Sequence, residues 1–352
     1  MKKKILGLNI EEIGEWFSLK NKKKFHAKQL LEWVYQKQET DFAKMTNLSA
    51  DLRLALQSEF EVISLELVKT QESADNETTK FLWKLHDGKF VESVLIRSFD
   101  RRTVCVSSQV GCPARCAFCA SGKKGLIRDL SADEIVSQVY QINLWLSQKG
   151  ERVSHVVYMG MGEPMCNYDT MVRSIRLLND PLFLNLSQRR ITVSTVGVVE
   201  GIQQFAKEGL KVNLVLSLHA PNQKIREKII PYARKYPLER ILEAMWEYAE
   251  TTHRDITFEY TLLSGINDAP ELAKELADLL EGRQCTVNLI PYNPVTGLRL
   301  VRPGKEAIRE FQRILDSRGI VNTCRYTKGD DIAAACGQLV LHTEEAVLEL
   351  RV

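Results

Sequence analysis

The chain has 352 residues, enough for one barrel-sized domain and a small accessory unit. Hydrophobic residues make up 44% and charged residues 26%, as in ordinary globular proteins, and no apolar run reaches the roughly eighteen residues of a membrane span. The net charge of +3 is too small to indicate a partner, and the basic first residues lack the apolar core of a signal peptide. We therefore expect a cytoplasmic protein with no membrane association.

Residues 1–60 are predicted to form a small helical unit with a basic surface. Between Met1 and Arg53 there are eleven Lys or Arg against seven Asp or Glu, so the positive charge is concentrated here. A solvated face is the simpler interpretation of each lysine alone, but the group beside its aromatic neighbours suits phosphate contacts. The lysines are Lys20, Lys22, Lys23, Lys24 and Lys28. Helical spacing predicts that one helix face carries Phe25, Leu30, Trp33 and Val34. Asn47 or Ser49 is predicted to cap a second helix, which carries Leu52, Leu54, Leu56 and Phe60.

Residues 61–100 change to a period of two, which predicts a short extension of antiparallel strands. The alternating sets are Ile63, Leu65 and Leu67, then Phe81, Trp83 and Leu85, then Val91, Ser93 and Leu95. Asp87-Gly88 supplies a turn between the second and third strands. Glu92 falls inside the third strand, where a carboxylate either faces solvent or points into a site, and the sequence alone leaves both possibilities open.

From Thr103 onward, strand-like and helix-like segments alternate within a domain predicted to span 101–352. Six such units favour an α/β fold with a partial, six-stranded parallel βα barrel. The strands are expected at Thr103–Val110, Val153–Met159, Arg190–Thr195, Val212–Leu218, Ile256–Leu262 and Thr286–Pro291. Ser131 and Glu134 form a capping box at the start of the first helix. Ligands of parallel α/β folds bind at the carboxyl ends of strands, so residues there are the candidates for a site.

The segment CVSSQVGCPARCAFC, which begins within the first predicted strand and continues into the loop after it, contains four of the eight cysteines of the chain. Cys112, Cys116 and Cys119 have the spacing C-x3-C-x2-C, and thiolates suit zinc or iron–sulfur clusters. An all-cysteine cluster takes four ligands and a structural zinc site also takes four. Three thiolates would leave one iron of a four-iron cluster without a protein ligand. A zinc ion bound by the same loop would lack its fourth ligand. The neighbours expected to form a dry wall are Ala114, Ala117, Phe118 and Ala120.

Polar residues also follow other strands, and a further cysteine lies near the end of the chain. In the turn Gly160–Pro164, glycine lets the backbone approach a ligand and Glu163 can accept a hydrogen bond from an ammonium group. Each polar residue alone is more often structural than functional, and this holds for His219. Cys336 lies among small residues that leave its thiol accessible. The other strand-end residues are Ser194, Thr195, Ser217, Leu218, His219, Tyr292 and Asn293, and the cysteines interpreted as buried apolar residues are Cys166, Cys285 and Cys324.

The three-cysteine spacing, with Phe118 before the last cysteine, resembles the signature of the radical S-adenosylmethionine (radical SAM) superfamily. The whole chain from Cys105 to Leu339 resembles the RlmN/Cfr family of RNA adenosine methyltransferases. The matching stretches, in order, are CVSSQVGCPARCAFCASG, GMGEP, ITVSTVGVV, LSLHAP, FEY, NLIPYNP and DIAAACGQL. Two positions depart from the family pattern: Ala333 stands where the family has Asp, and Val196 where it has Ser.

The resemblance implies a two-stage reaction with one [4Fe–4S] cluster on Cys112, Cys116 and Cys119. Cys336 would take a methyl group from one S-adenosylmethionine, and a radical made from a second would abstract hydrogen from that methyl group. The carbon radical would add to carbon 2 of an adenine. Cys105 would then release the RNA by forming a disulfide with Cys336, and Glu92 would remove the carbon-2 proton. The residues implied to bind S-adenosylmethionine are Gly162, Glu163, Ser194, Ser217, Leu218, His219 and Asn293.

The implied substrates are an adenosine in the peptidyl-transferase region of large-subunit (23S) rRNA and the adenosine 3′ of the tRNA anticodon. An electron donor for the cluster and a monomeric chain are also expected. Besides the lysines, the expected phosphate contacts are Arg101, Arg102, Arg189 and Arg190.

Three alternatives stay open. The first is methylation of carbon 8, against which Pro164 argues. The second is a radical SAM reaction on a substrate other than RNA, which would not need Cys336, and the third is a non-catalytic RNA-binding protein with zinc in the cysteine loop.

Overall fold

The computed structural model describes residues 2–325, 328–340 and 342, so the last residues of the predicted 101–352 domain lie outside the described part. Its strands are β1 (Lys3–Lys4), β2 (Phe60–Glu61), β3 (Glu66–Glu72), β4 (Thr78–Lys84), β5 (Phe90–Ser98), β6 (Arg101–Cys105), β7 (Gln109–Gly111), β8 (Leu126–Asp129), β9 (His155–Tyr158), β10 (Ile191–Thr195), β11 (Asn213–Ser217), β12 (Ile256–Leu262), β13 (Cys285–Pro291) and β14 (Val321–Cys324). Its α-helices are α1 (Ile10–Leu19), α2 (Phe25–Leu31), α3 (Ala50–Glu59), α4 (Ala132–Ser147), α5 (Tyr168–Asn179), α6 (Val199–Ala206), α7 (Gln223–Ile229), α8 (Leu238–Thr252), α9 (Pro270–Leu280) and α10 (Lys305–Ser317).

The amino-terminal residues form a helical unit, as their spacing predicts. Helix α2 continues into a π-helical turn over Glu32–Gln36, and α3 begins after Ser49, as the capping pattern predicts, without a hydrogen bond from the serine side chain. Leu52 and Leu56 are buried, whereas Leu54 is exposed, because residues four apart share a helix face and residues two apart do not. Phe25, predicted on the buried face of α2, is also exposed.

The antiparallel strands β3, β4 and β5 are not separate from the barrel. They join its sheet, since β5 pairs antiparallel with β6 and the ten strands run in the order β14-β13-β12-β11-β10-β9-β6-β5-β4-β3. The predicted turn at Asp87-Gly88 lies between β4 and β5, with Gly88 at φ +80°. The first strand of the set begins at Glu66, later than the alternation from Ile63 suggests.

Seven parallel strands, one more than predicted, lie in the described part of the sheet: β6 and β9 to β14. The extra strand, β14, is short and has no buried residue, so its sequence carries no apolar pattern. The predicted strand Thr103–Val110 is also wrong in its second half. It ends at Cys105, and Gln109–Gly111 forms a separate strand that pairs with β8.

The sheet curves around a cavity of about 390 Å³. Residues from strands far apart in the sheet order, such as Val94 on β5 and Ile290 on β13, line this one cavity, which requires an open barrel. The amino-terminal unit packs outside the barrel and shares its core. The hydroxyl of Tyr140 on α4 donates to the carbonyl of Val34 at 2.8 Å, which ties the two together. No helix in the described part of the chain is long and apolar enough to cross a membrane.

Candidate active site

The cavity is lined by most of the residues that the sequence singles out. Three groups meet there: the cysteine loop after β6, polar residues at the carboxyl ends of β9 to β13, and the turn that carries Cys336. The predicted cysteines and strand-end residues in its lining are Cys105, Cys112, Cys116, Cys119, Gly162, Glu163, Ser194, Thr195, Ser217, His219, Tyr292, Asn293 and Cys336. Glu92 and Leu218 are buried and do not line it.

The three closely spaced cysteines lie in an apolar shell. Ala114, Phe118 and Ala120 are buried as predicted, and they pack with residues such as Val196 and Tyr292. Burial raises the pKa of all three thiols, and the neighbouring cysteine charges raise those of Cys112 and Cys116 further. Ala117 was predicted in this wall but is exposed, and its backbone N–H donates to the carbonyl of Ile229 at 2.8 Å.

The donor set of this loop fits an iron–sulfur cluster better than one ion. Within the described ranges, no three His, Cys, Asp or Glu side chains converge closely enough to hold a single metal ion. A cluster differs from an ion in this respect, since its cysteine ligands surround several metal atoms and need not meet at one point. The three thiols share one wall of the cavity, which suits such a group.

Arg226 is a buried cation directly behind this wall. It is fully buried, and its guanidinium donates to the carbonyls of Val196, Ser217 and Leu218, the Leu218 bond measuring 3.1 Å. Burial lowers its pKa to about 10, so it stays charged at neutral pH. It therefore holds together the ends of β10 and β11 and places a positive charge near Cys116.

Glu163 joins the end of β9 to the end of β10. Its carboxylate accepts hydrogen bonds from the N–H of Met165 at 3.0 Å and of Val196 at 2.8 Å. Burial raises its pKa to about 7, and these hydrogen bonds offset only part of the effect. The carboxylate has further lone pairs for a ligand on the cavity side. Gly162 has φ +115°, and an added Cβ would lie 2.6 Å from the hydroxyl of Ser108, so only glycine fits there.

The ends of β10 and β11 contribute hydroxyl groups and an imidazole. The hydroxyls of Ser194 and Ser217 lie 3.1 Å apart. The Nδ1 of His219 accepts a hydrogen bond from the N–H of Thr261 at 2.9 Å, which places the ring proton on Nε2. Burial, and then the charge of Arg226, lowers the pKa of His219 to about 3, so this ring is a neutral hydrogen-bond donor in the cavity.

The turn that carries Cys336 is fixed by amide side chains. Asn293 donates to the carbonyl of Cys336 at 3.1 Å, and the side-chain oxygen of Gln338 accepts from the N–H of Ala335 at 3.1 Å. Gln338 also donates to Asp330 at 2.7 Å. Ala333, the departure from the family pattern, is exposed at φ +49°, a conformation that Asp tolerates better than Ala. Its side chain makes none of these bonds, so the turn keeps its anchors.

Cys105 and Cys336 face the same cavity although they are far apart in sequence. Cys336 lines the cavity and is exposed, as its small neighbours predict. The protein packed around it still raises the pKa of its thiol. Burial likewise raises the pKa of Cys105 to about 12. Arg325 lines the cavity close enough to oppose both shifts, while Glu259 reinforces them. The charges around the two thiols therefore come from the carboxyl end of β14 and from β12.

Glu92 lies on the cavity face of β5 but is covered by other groups. Its carboxylate lies 3.1 Å from the ammonium of Lys80, and it accepts from the N–H of Val340 at 2.8 Å and bonds to His342 Nε2 at 3.1 Å. Burial alone would raise its pKa, but His342, Lys80 and the Val340 N–H outweigh burial, so the pKa is lowered. Glu92 is thus ionised in the folded chain.

Glu92→Gln is expected to lower the free energy of unfolding at pH 7 by about 3–5 kcal/mol, because it leaves Lys80 charged and buried without its partner. The folded-state pKa of Glu92 lies below its unfolded value, so this stability exists above pH 4.5 and is lost as the pH falls through the folded pKa. Urea unfolding from pH 3 to pH 8 should show the variant approaching the unaltered chain at the acid end.

The matched control is Glu151→Gln, which removes an ion pair with Arg102 between partly exposed side chains. Such a pair contributes no more than about 1 kcal/mol. Equal losses for the two variants at pH 7 would contradict the assignment of Glu92 as the charge that keeps Lys80 buried.

Three residues of this site were missed by the sequence analysis. Glu259 carries a usable signal, since it is the one charged residue in the apolar strand Ile256–Leu262. Arg226 and Arg325 carry none, because an arginine in a helix or after a strand normally faces solvent. Their placement depends on contacts with segments distant in sequence.

The fold and the cysteine loop define a radical SAM enzyme. Residues 106–277 match the model of the radical SAM superfamily, and residues 3–62 match the ribosomal RNA large subunit methyltransferase N-terminal domain. A solved structure of a radical SAM methyltransferase from Sphaerobacter thermophilus is 41% identical, with a TM-score of 0.93 over 95% of this chain and 98% of that one.

Curated relatives narrow the class further. The chain is 66% identical to the probable dual-specificity RNA methyltransferase RlmN 2 of Protochlamydia amoebophila, over 95% of this chain and 94% of the relative. It is 47% identical to the probable dual-specificity RNA methyltransferase RlmN of Geobacillus kaustophilus, over 95% of this chain and 92% of the relative. The chain belongs to the RlmN family of radical SAM RNA methyltransferases. The predicted family is confirmed, and the alternative of a non-catalytic zinc protein is wrong.

Proposed function

We propose that this enzyme methylates carbon 2 of an adenosine in 23S rRNA and of the adenosine 3′ of the anticodon in tRNA. The observation that carries the proposal is that Cys105 and Cys336 face one cavity together with the three-cysteine loop. A radical SAM enzyme that only abstracts hydrogen has no use for two further thiols in its cavity. The names of the relatives support two RNA substrates, and Pro164 after Glu163 supports carbon 2 over carbon 8.

In this proposal Cys112, Cys116 and Cys119 would hold a [4Fe–4S] cluster, which would leave one iron without a protein ligand for S-adenosylmethionine. When bound, the two together supply a 5′-deoxyadenosyl radical. Hydrogen bonds from the cavity wall orient the cosubstrate. They come from the neutral His219 Nε2–H, the hydroxyls of Ser194 and Ser217 and the free lone pairs of Glu163. Asn293 lines the cavity after the end of β13, and Gly162 allows close approach. Leu218 acts indirectly, through the carbonyl that accepts from Arg226.

Cys336 acts first as the methyl acceptor. Its thiol must lose a proton to become nucleophilic, and burial opposes this. The charge of Arg325 favours the thiolate, and a sulfonium beside it would favour it further. The bond formed is Cys336 Sγ to the methyl carbon, and the bond broken joins that carbon to the donor sulfur. The same methyl group would lose a hydrogen atom to the 5′-deoxyadenosyl radical, and its carbon is the one that Cys336 delivers to the adenine.

Cys105 and Glu92 complete the reaction. Glu92 takes the proton from carbon 2, which requires Val340 and His342 to move from its carboxylate. The adduct radical must also give up one electron, which would return to the cluster held by the three-cysteine loop. The Cys105 thiolate then attacks the sulfur of Cys336. A disulfide forms, the bond from that sulfur to the transferred carbon breaks, and the electron pair stays with the carbon, which takes up a proton to complete the methyl group. A reductant must restore the two thiols before the next turnover.

The remaining parts of the proposal concern partners. Residues 1–60 form the accessory RNA-binding domain, residues 61–100 the β extension, and residues 101–352 the catalytic domain. The exposed side chains of the amino-terminal lysines Lys22, Lys23, Lys24 and Lys28 are free of the ion pair that Lys20 makes with Glu59 at 2.6 Å, and they suit phosphate contacts. The enzyme acts as a cytoplasmic monomer that receives electrons from a separate donor.

The proposal predicts the product of the reaction. Full-length enzyme with iron, sulfide, a reductant and S-adenosylmethionine should convert a 23S rRNA fragment and a tRNA to products that contain 2-methyladenosine. Digestion to nucleosides and mass spectrometry against both standards distinguishes this product from 8-methyladenosine. If 8-methyladenosine is the only product, the carbon-2 assignment fails, and if no methylated adenosine forms on either RNA, the proposed substrates are wrong.

A further inference from the structure

Phe99 is a fully exposed aromatic side chain in the turn between β5 and β6. Its relative exposure is 100%, the highest of any large apolar residue in the described ranges. Its backbone has φ +42°, in the left-handed region that a bulky residue rarely adopts. A residue that is both exposed and strained adds nothing to the core, and such outliers cluster where a ligand binds.

The turn around Phe99 is braced from several sides. Arg102 donates to the carbonyl of Phe99 at 2.9 Å and also forms an ion pair with Glu151. The guanidinium of Arg97 lies 5.2 Å from the ring centre of Trp145 on α4, which holds the preceding strand. The ring of Phe99 is therefore presented on a fixed support.

The same turn forms part of the wall of the active-site cavity. Ser98 and Arg101, on either side of Phe99, pair in register and both line the cavity. Along β6, Arg101, Thr103 and Cys105 line it in alternation, as residues on one face of a strand do. The cavity thus runs about 13 Å along this strand, from the reactive thiol of Cys105 to the turn that carries Phe99.

The surroundings of Phe99 are basic. Arg101 begins β6 and Arg190 precedes β10, the two strands on either side of β9. Both are exposed, and both act on His155 of β9, whose pKa is lowered first by burial and then by their charges. Asp100 is the acid in the turn, and its charge partly offsets the effect of the two arginines on the pKa of His155. Lys328 lines the cavity beside this turn, donates to the carbonyl of Arg97 at 3.0 Å and forms an ion pair with Glu77 at 2.9 Å, so Arg101 and Arg190 supply the exposed positive charge. An anionic chain with exposed aromatic bases complements this rim.

We infer that Phe99 is a stacking platform for an RNA base adjacent to the target adenosine, with phosphates held by Arg101 and Arg190. The inference rests on the proposed function. A target base that is splayed into the cavity leaves its neighbour without a stacking partner, and an aromatic ring at the rim replaces that partner. Stacking tolerates different bases, which suits an enzyme with both rRNA and tRNA substrates.

The test uses the full-length chain and a fluorescein-labelled tRNA anticodon stem-loop, with binding followed by anisotropy at one fixed salt concentration. Phe99→Gly should weaken binding by roughly 5-fold to 100-fold, the effect of losing one stacked base. Its thermal midpoint should not fall, because glycine accepts the left-handed conformation. Phe99→Trp should bind within about two-fold of the unaltered chain, and the tryptophan fluorescence that it adds should be quenched by the RNA.

The control is Val321→Ala, which truncates an exposed apolar side chain at the edge strand β14 and should leave binding unchanged. Binding of Phe99→Gly within about two-fold of the unaltered chain, or equal losses in both variants, would overturn the inference alone. If the unaltered chain fails to bind either this stem-loop or a 23S rRNA hairpin, the proposed function is overturned and the inference with it.

Discussion

Cys336→Ala is expected to abolish RNA methylation, with a fall of more than about 1,000-fold in product formed. The variant lacks the sulfur that accepts the methyl group and delivers it to the adenine, and no other thiol in the cavity lies on the turn held by Asn293. Product should be measured by nucleoside mass spectrometry. Peptide mapping of enzyme purified without oxygen should find one added methyl group on Cys336 in the unaltered chain.

Cys285→Ala is the matched control for this variant. Cys285 begins β13, is buried, and does not line the cavity, so its loss should cost some stability and little activity. Cys336→Ala should still form 5′-deoxyadenosine from S-adenosylmethionine, which shows that the remaining machinery works. Methylated RNA from Cys336→Ala at near the normal rate would refute the role of this thiol.

Cys105→Ala is expected to trap a covalent complex between protein and RNA. Without the thiol that attacks Cys336, the bond from that sulfur to the RNA has no means of release, so about one equivalent of RNA accumulates per chain. A denaturing gel with labelled RNA should show the complex, and mass spectrometry should locate the linkage at Cys336.

The double variant Cys105→Ala/Cys336→Ala separates this trap from nonspecific crosslinking, since it should form no complex. Repeated turnover by Cys105→Ala would show that another group releases the product. Because burial raises the pKa of Cys105 to about 12, release in the unaltered chain depends on nearby positive charge, and Arg325 is the cation that lowers this pKa.

Much of the candidate site follows from local sequence. The spacing of Cys112, Cys116 and Cys119 places three thiols on one loop, and the alternation of strands and helices predicts which polar residues stand at strand ends. Both inferences depend on neighbours within a few residues, which is the range over which periodicity and spacing act. The family could also be predicted from the sequence, because its motifs occur along the chain in the expected order.

Other features were decided by tertiary structure. The short strand β14 has no apolar alternation, and it forms because β13 offers it an open edge. The sequence could not show whether Glu92 faces solvent, since its partners Lys80 and His342 come from another strand and from the far end of the chain. Arg226 in isolation looks like any surface arginine, but closure of the barrel buries it against three strand-end carbonyls.

The cysteine loop, the polar residues at strand ends and the family can all be predicted from the sequence, because each depends on the spacing of residues that are close together in the chain. Tertiary packing brings Cys105 and Cys336 to one cavity and places the charges of Arg325 and Glu259 near both thiols. The physical reason is that curvature of the sheet brings its distant strands around a common space. Electrostatic effects on a buried thiol depend on which charges that curvature places nearby.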